Sequence, residues 1–158
     1  LTGHLVLSTL HTNDAPSSLT RLHDLGVQPF LTAATILGVL AQRLVRRLCP
    51  LCKQETAINE QEWGHLTFDY VMDMPTMMYK AVGCEACRHT GYKGRVGIYE
   101  FMPVSLELKS IISAHGTLND LKAQAKKEGV EPLRIAGARK VIEGATTLEE
   151  VLRVVPLS

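Results

Sequence analysis

Two pairs of cysteines constrain the fold of this chain more than any other feature. Cys49 and Cys52 form one Cys-x-x-Cys pair, and Cys84 and Cys87 form a second, with 31 residues between the two pairs. Two residues between paired thiolates let both sulfurs reach one ion, and four sulfurs complete the tetrahedral shell that zinc prefers. A closed shell has no open position for a substrate, so the pattern predicts a structural zinc site. Zinc would stabilise an intervening segment that is too small to have its own core.

Three other uses of these cysteines stay open: thiols without a metal, a redox pair and an iron site. His89 follows Cys87 by two residues and could replace one ligand, but four cysteines already suffice and we expect His89 on the surface. Disulfides are the weaker expectation because the first residues lack the pattern of a secretory signal. The chain starts at Leu1 with an apolar run close behind, so we expect the natural protein to extend upstream.

Composition limits the size of the fold and its partners. The 158 residues are 46% hydrophobic, which suffices for one ordinary domain with a small appendage. No apolar run approaches the roughly 20 residues that span a bilayer. The formal net charge is +1, so the overall charge of the chain does not favour binding to nucleic acid or to a membrane surface.

A local group of cations keeps one alternative open, a zinc-ribbon adaptor that binds nucleic acid. We see no aromatic platform for base stacking near this group, and a solvated face or a subunit contact is the simpler expectation. The four cations are Arg43, Arg46, Arg47 and Lys53.

An α/β unit is predicted before the first cysteine pair. Residues 5–10 form a short apolar run that predicts a buried strand ending in a polar loop at His11. Residues 13 and 14 can cap a following helix, and Gly26 would stop it. A second helix is predicted over residues 30–38, with Pro29 in its first turn.

Two extended runs flank the cysteine pairs. Residues 39–48 fit both a helix and a strand, and we favour a strand for the second half. Residues 95–101 are β-branched and aromatic and predict a strand. If the two runs pair antiparallel, residues 49–94 are an insertion at the tip of the pair and the metal closes it.

Past Pro103 the chain is predicted to be helical, with glycines between the helices. The last helix has a candidate capping box, either Thr147 with Glu150 or the same pattern one residue earlier. The predicted helix starts are Ser105, Thr117, Pro132 and Thr146.

Two histidines, His4 and His11, flank the first predicted strand. In open α/β sheets ligands collect beyond the carboxyl ends of strands, which is where His11 would lie. A histidine there can donate a hydrogen bond to a terminal phosphate or orient a water molecule. By pattern alone, a histidine in a loop is more often a polar surface residue.

Four separated segments resemble one family, the type II secretion and type IV pilus assembly ATPases. Its His box is similar to residues 2–13, Thr-Gly-His-Leu-Val-Leu-Ser-Thr-Leu-His-Thr-Asn. Residues 41–53 resemble the segment that enters the family's tetracysteine insertion, and residues 91–100 the segment that leaves it. Residues 147–151 resemble the closing helix. The resemblance covers essentially all 158 residues.

The resemblance implies the C-terminal portion of a RecA-like P-loop ATPase domain of α/β class, with an inserted tetracysteine zinc subdomain and a C-terminal helical region. It divides the chain into part of the ATPase core (1–48), the zinc insertion (49–94), a returning core strand (95–103) and a helical subdomain (104–158). It also assigns His4 and His11 to the nucleotide site, where His11 would sense the terminal phosphate.

The resemblance further implies a ring, a hexamer, at the cytoplasmic face of the inner membrane. Such motors use ATP and Mg²⁺ to push pilin or pseudopilin subunits through an inner-membrane platform protein, and nucleic acid is not an expected partner. The tetracysteine insertion favours assembly or secretion over retraction.

No Gly-x-x-x-x-Gly-Lys-Ser/Thr loop occurs in the 158 residues. We expect the phosphate-binding loop and the magnesium-binding acids upstream of Leu1, and we predict that this chain alone does not hydrolyse ATP. The alternatives are the zinc-ribbon nucleic-acid adaptor and, third, a Cys-x-x-Cys redox protein.

Overall fold

The structure, a computed structural model, describes residues 3–155 and divides into two compact units. The first unit contains the described residues up to Val39 together with Phe101–Gly129. The second contains Leu40–Glu100 together with the described residues from Val130 onward. Helices and two small sheets occur together, so the predicted α/β class is confirmed as a mixed α/β structure. No helix among residues 3–155 has the length and apolarity needed to cross a bilayer.

The first two helices of the first unit begin where the sequence predicts. Helix α1 (Ala15–Asp24) is capped by Asp14, whose Oδ1 accepts a hydrogen bond from the amide of Ser17 at 2.8 Å. Helix α2 (Pro29–Thr35) has its proline at the first position, where the missing N–H costs nothing. This helix ends three residues before the predicted limit, because the backbone of Ile36 is already extended.

Helices α4 (Leu106–Ser113) and α5 (Leu118–Lys127) complete the first unit. Ser105 and Thr117 cap them through their side chains, as predicted. Helix α4 packs against α2 and α5, and α5 packs against α1. The apolar faces meet in the core of the unit, where the buried side chains include Leu19, Leu108, Ile112 and Leu121.

The prediction of a buried strand at residues 5–10 was wrong. This segment has no regular secondary structure, and the exposed fractions of Leu5, Val6 and Leu7 are 74%, 79% and 89%. A strand is held by the hydrogen bonds of a neighbouring strand. Among the described residues, no strand pairs with this segment.

Strands β1 (Gly38–Leu48) and β4 (Tyr92–Pro103) form a two-stranded sheet. At one end the amide of Val104 donates to the carbonyl of Leu37, and at the other the amide of Cys49 donates to the carbonyl of Gly91. The two strands are therefore antiparallel, as predicted. Strand β1 covers the whole ambiguous run, because pairing with β4 favours the extended alternative.

The segment between β1 and β4 contains the second sheet. Strand β2 (Gln54–Thr56) pairs antiparallel with β3 (Met78–Lys80). Helix α3 (Glu60–Leu66) lies between them in sequence and contacts the last two helices of the chain. Its Trp63 and Leu66 are 3% and 0% exposed. The insertion therefore packs apolar side chains against helices outside it, and the expectation that it has no core of its own stays a prediction.

Helices α6 (Leu133–Ile142) and α7 (Leu148–Val154) close the second unit. The start of α6 is bound by Glu100, a buried residue of β4 whose Oε2 accepts a hydrogen bond from the amide of Leu133 at 3.0 Å. Residues 104–129 and 130–155 thus fall in different units. The division at residues 48, 94 and 103 stays a prediction.

Candidate metal centre and the histidine segment

Four cysteine sulfurs converge where the insertion joins the β1–β4 pair. All four Sγ atoms lie within 4.8 Å of one another. The Cys49 and Cys84 sulfurs are 3.9 Å apart, and Cys87 lies 3.8 Å from both Cys52 and Cys84. A tetrahedral zinc with bonds of about 2.3 Å separates its sulfurs by about 3.8 Å, whereas a disulfide needs about 2.05 Å. The cluster therefore fits a four-coordinate zinc ion, and none of the four cysteines is in a disulfide.

Backbone amides point at two of these sulfurs. The amide of Gly83 donates to Cys52 Sγ at 3.3 Å, and the amides of Cys84 and Gly91 both donate to Cys87 Sγ at 3.2 Å. Such bonds orient metal-binding sulfurs and favour their charged form. Hydrogen bonds of this kind to the ligand sulfurs would support a structural zinc ion.

The electrostatics of the cluster call for a cation. Burial opposes the thiolate of Cys87, but the two amides outweigh it and lower the pKa of Cys87 to about 6. Burial raises the pKa of Cys52 to about 12, and the neighbouring sulfurs add to the effect. Four negative charges at this spacing repel one another, so a divalent cation is the species that lets all four sulfurs ionise together.

Two glycines make the second cysteine pair possible. Gly83 and Gly91 have φ angles of +111° and +77°. A Cβ on Gly83 would lie 2.6 Å from the carbonyl oxygen of His89, and one on Gly91 would lie 2.6 Å from Ala81 Cβ. The side chain of His89 is exposed and is not a member of the cluster, so the expectation of a surface residue is confirmed.

The first cysteine pair is joined to the turn between α6 and α7. The amide of Leu48 donates to the carbonyl of Ala145 at 2.8 Å, and Lys53 Nζ donates to the carbonyl of Gly144 at 2.9 Å. Lys53 also lies 4.2 Å from the centre of the Tyr79 ring. Leu48 and Lys53, which flank the first cysteine pair, thus both bond to the turn between α6 and α7.

A buried carboxylate ties α7 to β1. Glu150, whose side chain is 1% exposed, accepts three hydrogen bonds from Arg46 and two from Arg153. Burial opposes its charge, but the hydrogen bonds from the two arginines outweigh it and lower its pKa to about 2. Only half of the predicted capping box forms. Thr147 accepts from the amide of Glu150, but the carboxylate of Glu150 is engaged by the arginines.

Two of the four cations near the first cysteine pair lie over aromatic rings of the chain itself. Arg46 stacks on Tyr92 at 4.0 Å and binds Glu150, while Lys53 stacks on Tyr79. Two aromatic rings, Tyr79 and Tyr92, lie beside this group. Each ring is covered by a cation of the chain itself, so these contacts stabilise the second unit and do not form an open platform for bases.

The histidines belong to the first unit and the cysteines to the second. His4 and His11 are both exposed, and His11 lies just before the start of α1. Sequence reasoning identified Asp14 as a cap but missed its second contact, an ion pair of 3.0 Å between Asp14 Oδ2 and Lys122 Nζ of α5. No local pattern pairs residues so far apart in the chain.

The motifs that suggested a family are supported by comparison with known proteins. The family model for the type II/IV secretion system protein matches residues 1–153. The chain is 71% identical, over all of its length, to the type IV pilus assembly ATPase TfpB of Acinetobacter baylyi, and it covers 27% of that protein. It is also 48% identical to the type IV pilus assembly ATPase PilB of Myxococcus xanthus over 96% of the chain, covering 27% of that protein.

A type II secretion protein has a sequence identity to the chain similar to that of the Myxococcus protein. The chain is 47% identical to the type II secretion system protein E of Pseudomonas aeruginosa over 98% of its length, and it covers 30% of that protein. The chain thus spans less than a third of the length of each of these three relatives. Because the family model matches nearly the whole chain, this protein belongs to the type II/IV secretion system protein family, as its four motifs predicted.

Proposed function

We propose that this chain is the C-terminal part of a longer ATPase motor that powers type IV pilus assembly. The longer protein is called the intact protein below. The observation that carries the proposal is the 71% identity, over the full length of the chain, to a type IV pilus assembly ATPase. The 47% identity to a type II secretion protein makes secretion the second candidate task. A RecA-like fold for the ATPase core is part of the proposal.

The proposed role of the cysteine cluster is structural. Cys49, Cys52, Cys84 and Cys87 would hold one zinc ion in a complete sulfur shell, which supports neither a bound water nor a substrate. The ion would link the two ends of the insertion. It would also keep Lys53 and Leu48 in contact with the turn between α6 and α7. It would take no part in ATP hydrolysis.

His4 and His11 are the residues proposed to act at the nucleotide site. An exposed imidazole can donate a hydrogen bond to a phosphate oxygen, and His11 lies at the end of a loop that runs into α1. We propose that His11 is the residue that donates a hydrogen bond to the terminal phosphate of ATP. The phosphate-binding loop and the groups that bind Mg²⁺ would come from the part of the intact protein that this sequence does not contain.

The intact protein would act as a hexameric ring on the cytoplasmic side of the inner membrane. There it would pass the energy of ATP hydrolysis to a membrane-embedded platform protein that assembles pilin or pseudopilin subunits. Nucleic acid is not a proposed partner, because Arg46 and Lys53 are already engaged within the chain.

The test of the proposed activity compares the intact protein with the isolated 158-residue chain. We expect Mg²⁺-dependent ATP hydrolysis by the intact protein, a large loss in its His11→Ala variant and none in His65→Ala, a control at an exposed histidine of α3. The isolated chain is expected to be inactive. ATP turnover by the isolated chain that disappears on His11→Ala would overturn the proposed division of the catalytic groups.

A cellular assay separates the two tasks. Deletion of the gene for the intact protein should remove surface pili if the motor assembles pili, and should block export of secreted enzymes if it serves secretion. Complementation with the wild-type gene, and failure to complement with His11→Ala, would attribute the effect to the motor. Salt-dependent binding of DNA by the purified protein would favour the zinc-ribbon adaptor instead.

A further inference from the structure

The loop that carries His11 is fastened by contacts around Asp14. Thr12 Oγ1 donates to the carbonyl oxygen of Asp14 at 3.2 Å and lies 2.7 Å from Ser18 Oγ, in the first turn of α1. Ser18 itself is 7% exposed. Thr12, the residue directly after His11, is therefore attached to a buried residue of α1, and the position of Asp14 determines where the loop ends.

Asp14 uses its two carboxylate oxygens for different partners. Oδ1 caps α1 through the amide of Ser17 at 2.8 Å, and Oδ2 pairs with Lys122 Nζ at 3.0 Å. The Asp14 side chain is 18% exposed. Burial opposes its charge, but hydrogen bonds from Ser17 and Lys122 outweigh it and hold its pKa below the usual value. The carboxylate is thus a junction between the loop, α1 and α5.

The position of Lys122 on α5 is itself well determined. Its neighbour Leu121 is 1% exposed and Ala125, three residues on, is 4% exposed, so this face of α5 is packed within the first unit. The capping box between Thr117 and Asp120 defines the first turn of the helix. Lys122 therefore presents its ammonium group to Asp14 from a firmly packed helix.

We propose that Lys122 is a positioning residue for the nucleotide site, acting through Asp14 and Thr12 to hold the His11 loop where it can meet the terminal phosphate. The inference rests on the proposed role of His11. It extends that role to a residue of α5 that does not touch the nucleotide.

The expected size of the effect follows from the nature of the pair. A partly exposed ion pair shifts a two-state equilibrium by about twofold to fivefold. Without Lys122, Asp14 keeps its cap but loses the cation on Oδ2, so the loop would spend more time away from the phosphate. Affinity for ATP should fall by at most that factor, since a ligand binds more weakly in proportion to the lost population of its competent state. Affinity for ADP, which lacks the terminal phosphate, should not change.

The experiment measures the affinities of the intact protein for ADP and for a non-hydrolysable ATP analogue by titration calorimetry. Lys122→Met removes the charge and keeps most of the stem, Lys122→Arg keeps the charge, and Lys127→Met is a control at an exposed lysine of the same helix. We expect the ratio of ATP-analogue to ADP affinity to fall in Lys122→Met, by as much as about fivefold. The ratio should be restored in Lys122→Arg and unchanged in Lys127→Met.

The ratio distinguishes positioning from a loss of folded protein. Misfolding would reduce the number of binding sites and leave the affinity ratio of the remaining molecules as in the wild type. A wild-type ratio in Lys122→Met would overturn the positioning role while leaving the proposed ATPase intact. If the wild-type intact protein does not bind the ATP analogue, or His11→Ala keeps the wild-type ratio, the proposed nucleotide site fails first and the role of Lys122 fails with it.

Discussion

Lys53 Nζ lies 2.9 Å from the carbonyl oxygen of Gly144 and joins the first cysteine pair to the end of α6. The same ammonium group lies over the ring of Tyr79, on the second strand of the insertion. Gly144 lies in the turn that follows α6, and a cation beyond the end of a helix also interacts favourably with the helix dipole. One side chain therefore connects the insertion, the cysteine pair and a helix end.

Lys53→Met tests this connection. We expect the variant to keep its zinc and to lose about 1 kcal/mol of stability, the typical net value of one hydrogen bond. Urea unfolding measures the loss, and Lys80→Met, an exposed lysine on β3, is the control. Equal midpoints for the two variants would mean that the contact with Gly144 contributes nothing.

The cysteine cluster predicts one zinc ion per chain. Cys52→Ser and Cys87→Ser should each lose the ion, because three sulfurs and a hydroxyl no longer complete the shell. Plasma mass spectrometry gives the metal content, and hydrogen exchange follows the amides at Leu48 and around Gly144. These amides should exchange faster in both variants than in the wild type. Full retention of zinc by both variants would contradict the site.

Gly91 and Gly94 offer a matched pair of substitutions. Both have a positive φ, +77° and +78°, but a Cβ at Gly91 meets Ala81 at 2.6 Å while one at Gly94 meets nothing within 4 Å. Gly94→Ala should cost about 1 to 2 kcal/mol, the strain of a left-handed backbone. Gly91→Ala should cost more and weaken zinc binding, because the Gly91 amide also bonds to Cys87 Sγ. Urea midpoints and a zinc titration compare the two, and equal losses would argue against the close approach.

Glu150 should be the most sensitive acidic residue of the second unit. Glu150→Gln removes the charge that pairs with Arg46 and Arg153. Both arginines stay about half exposed, so the loss should be about 1.5 to 3 kcal/mol, the value of hydrogen bonds to a charged group. Glu149→Gln, at the exposed neighbour in the same turn, should cost less than about 0.5 kcal/mol. Chemical unfolding of both variants provides the comparison. A loss in Glu150→Gln no larger than in Glu149→Gln would rule out this ion pair as a source of stability.

The stabilisation by Glu150 should depend on pH in a defined window. Its pKa falls from 4.5 to about 2 on folding, so the unfolded state binds more protons between these values. The contribution is complete above about pH 5 and disappears as the pH falls through about 2. The difference in unfolding free energy between wild type and Glu150→Gln should shrink over that range. Loss of zinc in acid affects the wild type and the variant equally, so it cancels in the difference. A difference in unfolding free energy that stays constant with pH would contradict the lowered pKa of Glu150.

The sequence by itself determined several helix starts and the family. Helix starts follow from the caps at Asp14, Ser105 and Thr117, because a side-chain oxygen can satisfy an amide only two or three residues away. The four cysteines were identified as one site because their paired spacing suits a single ion. The family followed from motifs, in the order in which they occur along the chain, that the comparison with known proteins then supported.

Only the tertiary structure decided which distant residues meet. The ion pairs of Asp14 with Lys122 and of Arg46 with Glu150 join segments on different elements, and no periodicity reports such contacts. The same reason explains the error at residues 5–10. An apolar, β-branched run reports a preference for extended backbone, but a strand exists only where another strand supplies its hydrogen bonds, and chain packing decides that.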